Sequence, residues 1–480
     1  MNKENSFGRL LALLLITLAI CLGLYHLPDS LFGMKIKKVD LLSDLRVKPS
    51  SSSLDSLRTQ LEQPDTLEID SVAIRDSLLK VSNMDSIALV QRDSLYRVMH
   101  AEQGADSLGI RIEDYSVGHV GLKRFFAALK NSHEERRPAR VAFLGDSFIE
   151  GDILVADFRS GLQKKFGGHG VGFVPVTSVA SQFRPTIEQK AKGWITSSIL
   201  TDHDHAYTLS GMTFSPQDKE ATLSVKTTKS YPELQTVSSV KLLYEQNTST
   251  HMQLVCNGDT IMEALPSTST IRQYEREGSF TEASFSFTEA DGLQVLGVAL
   301  EDNTGVIVDN YSLRGNSGMV LSRLDISRCQ QLNEIRSYDL IILQYGLNVV
   351  SDEMLQYGWY TKRMEEAIHR VQACFPDADI LLLGVSDRSH QIDGEFQTMP
   401  AVLALLHAQR QIARRTGIAF WNVFGAMGGE NSMVRFVNNN WASKDYTHLS
   451  FRGGREIASA LLKAILLEKD FYDEADKVVY

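Results

Sequence analysis

Val141-Ala142-Phe143-Leu144-Gly145-Asp146-Ser147 is a short apolar run that ends in a Gly-Asp-Ser turn. Such continuous apolar stretches read as strands buried on both faces of a parallel sheet. The turn leaves a serine hydroxyl at the carboxyl end of the strand, where open α/β sheets hold their ligands. Far along the chain, Asp445-Tyr446-Thr447-His448 sets an acid and an imidazole three positions apart, in a loop before the last predicted helix. Serine, imidazole and carboxylate are the parts of an activated nucleophile with its base and orienter. A Gly-Asp-Ser tripeptide alone is also an ordinary turn. Its place after a strand, and its distant partners, give it weight.

Outward from this strand, segments alternate. Residues 153–166 read as a helix. Residues 305–311 read as a strand, followed by Ser312-Leu313-Arg314-Gly315-Asn316-Ser317-Gly318 and a helix to Arg336. Residues 339–345 form a second apolar strand ending in Gly346-Leu347-Asn348. Helices over 361–375 and 399–416 alternate with strands over 379–385 and 418–423, and a closing helix over 451–467 has Ser450 as its cap. The alternation predicts an α/β fold, a three-layer α/β/α parallel sheet. Residues 114–131 read as an amphipathic helix, with Val120, Leu122, Phe125, Phe126 and Leu129 at helical spacing. The glycine run of 167–172 follows a helix and lacks the Lys and Ser or Thr of a phosphate loop, so it reads as a flexible loop.

Between 182 and 301 the pattern becomes one of short β-type runs (221–227, 239–244, 251–256, 284–288 and 294–300), with turn pairs such as Asn257-Gly258 and Asp291-Gly292 between or beside them. This predicts a β-sandwich inserted into the α/β domain, with polymer binding as one reading of its role. His203-Asp204-His205 lies in the insert with nothing near in sequence to complete a metal set, and reads as a surface loop. No metal or other cofactor is expected.

The chain has 480 residues, too long for one ordinary core. Its net charge of -10 argues against nucleic acid as a partner, which would call for a basic face. Cys21, Cys256, Cys329 and Cys374 form no C-x-x-C pair and read as buried thiols. Residues 10–27 are almost unbroken in apolarity and as a helix would reach about 27 Å, close to the thickness of a bilayer's hydrocarbon. A cleaved signal peptide competes with this reading, but there is no small-x-small cleavage site and the run is long, which favours an uncleaved transmembrane anchor. Lysines and arginines after the run outnumber those before it, so the positive-inside count does not itself favour an outward-facing bulk. Residues 48–118 are rich in Ser, Asp and Leu and repeat Asp-Ser-Leu, which fits a partly helical spacer, with a docking stalk as the alternative. The expected division is an anchor at 1–30, a spacer at 31–112, a catalytic domain at 113–181 and 302–470, an insert at 182–301 and a tail at 471–480.

Gly-Asp-Ser at Ser147, the glycine at Gly315, Gly-x-Asn at Asn348 and Asp-x-x-His at His448 together resemble the SGNH (GDSL-type) hydrolase family, over roughly residues 141–467 apart from the insert. The resemblance implies Ser147 as nucleophile, His448 as general base and Asp445 as its orienter. It also implies an oxyanion hole of the Ser147 and Gly315 backbone N–H groups with the Asn348 side-chain amide. The chain departs from the family pattern in having Val349 after Asn348, where Asp is usual, and Phe148 after Ser147, where Leu is commoner. The phrase Gly145 to Asp152, the glycine-rich stretch and the β-insert are more narrowly similar to peptidoglycan and surface-polysaccharide O-acetylesterases and transferases. That similarity implies a serine esterase that removes O-acetyl groups from an envelope glycan, with its catalytic domain on the outer side of the membrane. Transfer of the acetyl group to a sugar, fed by a membrane acyl-transfer partner, is the alternative, and a non-catalytic glycan-binding or assembly protein is a second.

Overall fold

The computed structural model describes residues 30–31, 34–35, 86–101 and 111–479, apart from 218–219 and 353. The chain divides into two units, residues 1–59 and 60–480. In the first, Ser30–Leu31 pairs antiparallel with Met34–Lys35. The expected membrane helix at 10–27 lies outside the described residues; among those described, no helix is long and apolar enough to cross a membrane.

The second unit is built on five parallel strands: β1 (Ala139–Gly145), β2 (Val306–Ser312), β3 (Leu340–Gln344), β4 (Asp379–Leu383) and β5 (Ala419–Trp421). Their order across the sheet is β2-β1-β3-β4-β5, with Glu113–Asp114 pairing antiparallel on the β5 edge. Every residue of β1 and β3 is buried, as continuous apolar strands between two helical layers must be. The longer helices are α1 (Ser86–Ala101), α2 (Lys123–Asn131), α3 (Val155–Phe166), α4 (Ile326–Arg336), α5 (Gly358–Cys374), α6 (Pro400–Thr416) and α7 (Phe451–Val479). Helices α1, α2 and α3 contact α7, while α4, α5 and α6 pack side by side as a second group. The strand order reverses direction at β1 and β3, and this switch point opens the crevice in which such sheets bind ligands.

The insert is a β-sandwich. One sheet has the order Thr268–Phe280, Val237–Gln246, Leu293–Glu301, Met212–Pro216, Trp194–Ser198. The other runs Asp259–Leu265, Thr250–Cys256, Glu282–Thr288, Glu220–Thr227, Ile187–Lys192. Alternating residues such as Leu223, Val225, Leu242, Met252, Leu254 and Phe285 fill the space between them. The five runs recognised in the sequence are all strands, and five further strands were too polar or too short to stand out.

Three expectations are corrected. The glycine run is not a flexible loop: Gly170–Val174 is a buried strand that pairs with Leu293–Glu301 and packs against β2, joining the sandwich to the parallel sheet. A Cβ at Gly172, whose φ is +69°, would collide with the Asp309 carboxylate, so close approach rather than mobility explains the glycine. Residues 114–131 are not one helix. The buried Asp114 carboxylate accepts the N–H groups of Ser116 (2.9 Å) and Gly121 (2.8 Å), folding the segment before α2 into a turn. Nor are the expected spacer and tail outside the fold. Within the stretch read as spacer, α1 docks on α7, which runs through the stretch read as tail to Val479. Buried Arg92 of α1 lies over the rings of Phe471 and Tyr472 and donates to the carbonyls of Gly118 (2.7 Å) and His119 (3.0 Å).

The amino end of α7 approaches the loop after Ser147 so closely that a Cβ on Gly454 would collide with the carbonyl oxygen of Ile153. Gly454→Ala is therefore expected to cost about 1–3 kcal/mol, as overpacking does, read as a lower midpoint in urea denaturation of the full chain. An unchanged midpoint would show that α7 is free to move at this point.

Candidate active site

Three loops at the carboxyl ends of strands and the loop before α7 carry the candidate residues. Ser147 follows β1 in a turn closed by Ile149 N–H donating to the Asp146 carbonyl (3.4 Å). Gly315 follows β2 in a turn closed by Asn316 N–H donating to the Leu313 carbonyl (3.1 Å). Its φ of +77° favours glycine, and a side chain there would point into open space. Asn348 follows β3 in a single helical turn. Asp445 and His448 lie in the loop before α7.

Ser147, His448 and Asp445 come together. The hydroxyl of Ser147 lies 3.4 Å from His448 Nε2, and His448 Nδ1 lies 2.7 Å from Asp445 Oδ2. The second contact fixes the ring with its Nδ1 proton toward the carboxylate, leaving Nε2 to accept from the serine. The first is at the long end of a hydrogen bond, as is common before a substrate is bound. Asp445 is further held by the N–H groups of Thr447 (3.0 Å) and His448 (3.1 Å). Burial pulls its carboxyl upward, but these hydrogen bonds and the His448 ring hold it below the ordinary value, so it stays ionised beside the imidazole. The pair is open to solvent, with side chains 46% and 50% exposed.

The oxyanion candidates are joined through one amide. Asn348 Nδ2 donates to Asp146 Oδ2 (2.8 Å) and to the carbonyl of Asn316 (2.9 Å). It thereby braces the neighbours of both Ser147 and Gly315. Both amide hydrogens already have protein acceptors, so Asn348 could serve an oxyanion only by sharing one of them. The second and first blocks are also tied directly, by Leu313 N–H donating to the Gly145 carbonyl (2.9 Å) and by an ion pair between Arg314 and Glu150.

Asp146 was read from the sequence as part of a motif with no role of its own. In the structure it is fully buried, its Oδ1 accepting Phe148 N–H (2.9 Å) and its Oδ2 the Asn348 amide. Burial pushes its carboxyl up to about 6, against the opposing pull of the Phe148 N–H, the His448 ring and the Asn348 amide. Arg388, also without a role in the sequence reading, steadies the third block by donating to the carbonyls of Leu347 (3.4 Å) and Val350 (3.2 Å). Its long distance from the motifs in sequence gave no signal.

The fold matches that of a solved peptidoglycan O-acetylesterase, with a TM-score of 0.60 and 20% sequence identity over 74% of this chain and 98% of that one. The two chains share a fold. A family two carbohydrate esterase from Cellvibrio japonicus gives a TM-score of 0.25 at 10% identity, over 60% of this chain and 99% of that one. Another from Clostridium thermocellum, in complex with cellohexaose, gives 0.27 at 10% identity, over 58% and 100%. No family model and no curated protein matches the sequence. The parallel sheet with helices and the added β-sandwich expected from the sequence are both present in this chain.

Because the folded chain holds the Asp146 proton more tightly than the unfolded one, this residue's contribution to stability declines as pH rises from about 4 to 6 and is constant above. Asp146→Asn removes that decline. Denaturation of both proteins at several pH values should show wild type losing up to about 3 kcal/mol relative to the variant across this window. Parallel curves would mean that the carboxyl titrates normally.

Proposed function

We propose that the protein is a serine esterase that removes O-acetyl groups from a carbohydrate of the cell envelope, peptidoglycan or a surface polysaccharide. The observation that carries this reading is the Ser147–His448–Asp445 chain of contacts at the sheet's switch point. A serine hydroxyl is too weak an acid to attack an ester at neutral pH without a base in contact, and His448 Nε2 is placed to be that base. Ser147 attacks the acetyl carbonyl as His448 takes its proton. The tetrahedral oxyanion is met by the backbone N–H groups of Ser147 and Gly315, with Asn348 sharing its amide. His448 then returns the proton to the leaving sugar oxygen, giving an acetyl-enzyme. Water activated by the same imidazole releases acetate and restores the serine.

The openness of the His448–Asp445 pair favours hydrolysis over transfer, because water reaches the acetyl-enzyme freely while a transferase must exclude it. The fold shared with a peptidoglycan O-acetylesterase supports the substrate class. An extracytoplasmic catalytic domain tethered through residues 10–27 completes the proposal.

The purified full chain should hydrolyse an activated acetyl ester and release acetate from an O-acetylated glycan. Ser147→Ala and His448→Ala should each lower kcat by at least about 10³-fold, and Asp445→Ala by less, with melting temperatures unchanged. Equal rates for wild type and Ser147→Ala would remove the serine mechanism and leave a binding or assembly role. Product analysis with a sugar acceptor separates the outcomes, since an acetyl group found on the acceptor rather than as free acetate identifies a transferase.

A further inference from the structure

Beside the His448 loop stands a two-stranded hairpin, Ser389–Ile392 paired with Glu395–Thr398, that belongs neither to the parallel sheet nor to the sandwich. It is anchored to two of the four catalytic-site loops. Ser389 N–H donates to the Tyr446 carbonyl (3.1 Å), inside the Asp-x-x-His block. His390 pairs with Asp352 (2.5 Å), four residues past Asn348. At the far strand of the hairpin, Phe396 stacks on Tyr446 with ring centroids 3.6 Å apart and planes within 7°. Tyr446 is held with φ at +53°, a conformation rare for an aromatic residue. One face of Phe396 is covered by Tyr446, yet the residue remains 38% exposed, so part of its surface away from that contact is open to solvent.

An exposed phenyl ring on a polar hairpin contributes little to folding. Tyr446 stands two positions before His448, so their Cα atoms are at most about 7 Å apart and the stack adjoins the loop that carries the imidazole. A flat apolar surface beside a few polar catalytic groups is what orients a ligand in such a site. A pyranose presents one face of C–H bonds that packs on an aromatic ring, and this fixes the ring plane and the hydroxyls it turns inward.

We propose that the Phe396–Tyr446 stack is a carbohydrate platform whose open Phe396 side takes one sugar ring of the substrate and thereby sets which acetyl ester meets Ser147. The inference rests on the esterase reading above and adds a specificity-determining residue to it.

The test uses the full chain and two probes, an O-acetylated N-acetylglucosamine oligomer and glycerol triacetate, a small ester without a ring. In a Ser147→Ala background, where turnover is blocked, adding Phe396→Ala should weaken calorimetric binding of the oligomer about five- to tenfold, the range one aromatic stacking contact gives. Phe396→Trp should bind at least as tightly as the parent, and Phe396→Leu, which keeps bulk without a flat face, should behave like alanine. With Ser147 intact, Phe396→Ala should raise KM for the oligomer by the same factor and leave kcat/KM for glycerol triacetate unchanged. Equal losses on both esters would make the stack a mere prop for the His448 loop and overturn the proposal, as would oligomer binding that is absent or indifferent to Phe396. Should wild type hydrolyse neither ester, the esterase reading fails, and the platform is then decided by the binding measurements alone.

Discussion

The carboxylate of Asp146 has no water to turn to, and its two hydrogen bonds decide how the site is assembled. One holds the turn that carries Ser147, through Phe148 N–H, and the other holds the amide of Asn348, which in turn holds Asn316 beside Gly315. Three loops from three strands are thus locked around one buried acid. A buried carboxylate is costly unless its acceptors are filled, so each loop is constrained by the penalty of leaving Asp146 unpaired. This is why the upward shift of Asp146 and the order of the site are the same fact: the desolvation that raises its pKa also strengthens the bonds that remain.

A second buried charge cluster fixes the sandwich to the sheet. Glu301, at the end of a sandwich strand, pairs with Arg140 of β1 (3.0 Å), Arg336 at the end of α4 (2.8 Å) and Lys241 (3.0 Å). Burial alone would raise its carboxyl, but the three cations hold it well below the ordinary range. Asp309 of β2 joins Arg336 (2.7 Å) and accepts the hydroxyl of Tyr338 (2.7 Å) and the N–H of Phe173 (2.8 Å) in the joining strand. Replacing such a cluster by well-packed apolar residues is often neutral, but removing a single partner strands a charge at about 3–5 kcal/mol. Its effect is therefore on geometry: the sandwich has one way of seating, because every other way separates buried ions.

The sequence carried the parallel sheet because β1, β3 and β4 each hold an unbroken apolar run, Val141 to Leu144, Leu340 to Leu343 and Ile380 to Leu383, a pattern few other structures produce. The strands of the sandwich that escaped reading, such as Thr268–Phe280 and Asp259–Leu265, are largely exposed and lack that signal. The glycine run misled for a related reason. Local rules treat Gly167 to Gly172 as a loop, whereas Asp309 and Val306, far away in sequence, are what require the missing side chains. Ser147, His448 and Asp445 were legible because Gly-Asp-Ser directly follows an apolar strand and Asp-x-x-His falls in the loop before the closing helix, a combination scarcer than either motif alone. Asp146, Phe396 and the docking of α1 on α7 were not, since each depends on a partner that only the fold supplies: Asn348, Tyr446, and Phe471 with Tyr472.

The site divides rigidity from access, which under the proposed function suits a polymer. Its brace, Asp146 with Asn316, is buried, while His448 and Asp445 stand half exposed. A deep pocket would enclose a small ester and exclude a chain of sugars; an open rim admits the chain but gives little binding surface of its own. Affinity must then come from flat contacts around the rim, and orientation from groups that cannot shift. Asn348 sits at the meeting of these demands. Its hydrogens are committed to Asp146 and Asn316, so the amide is held in place, and under the proposed mechanism it would share one of them with the developing oxyanion. Protonation of Asp146 would weaken its claim on that hydrogen, and under the proposed mechanism the buried acid would then bear on the strength of the oxyanion hole as well as on the placing of its loops.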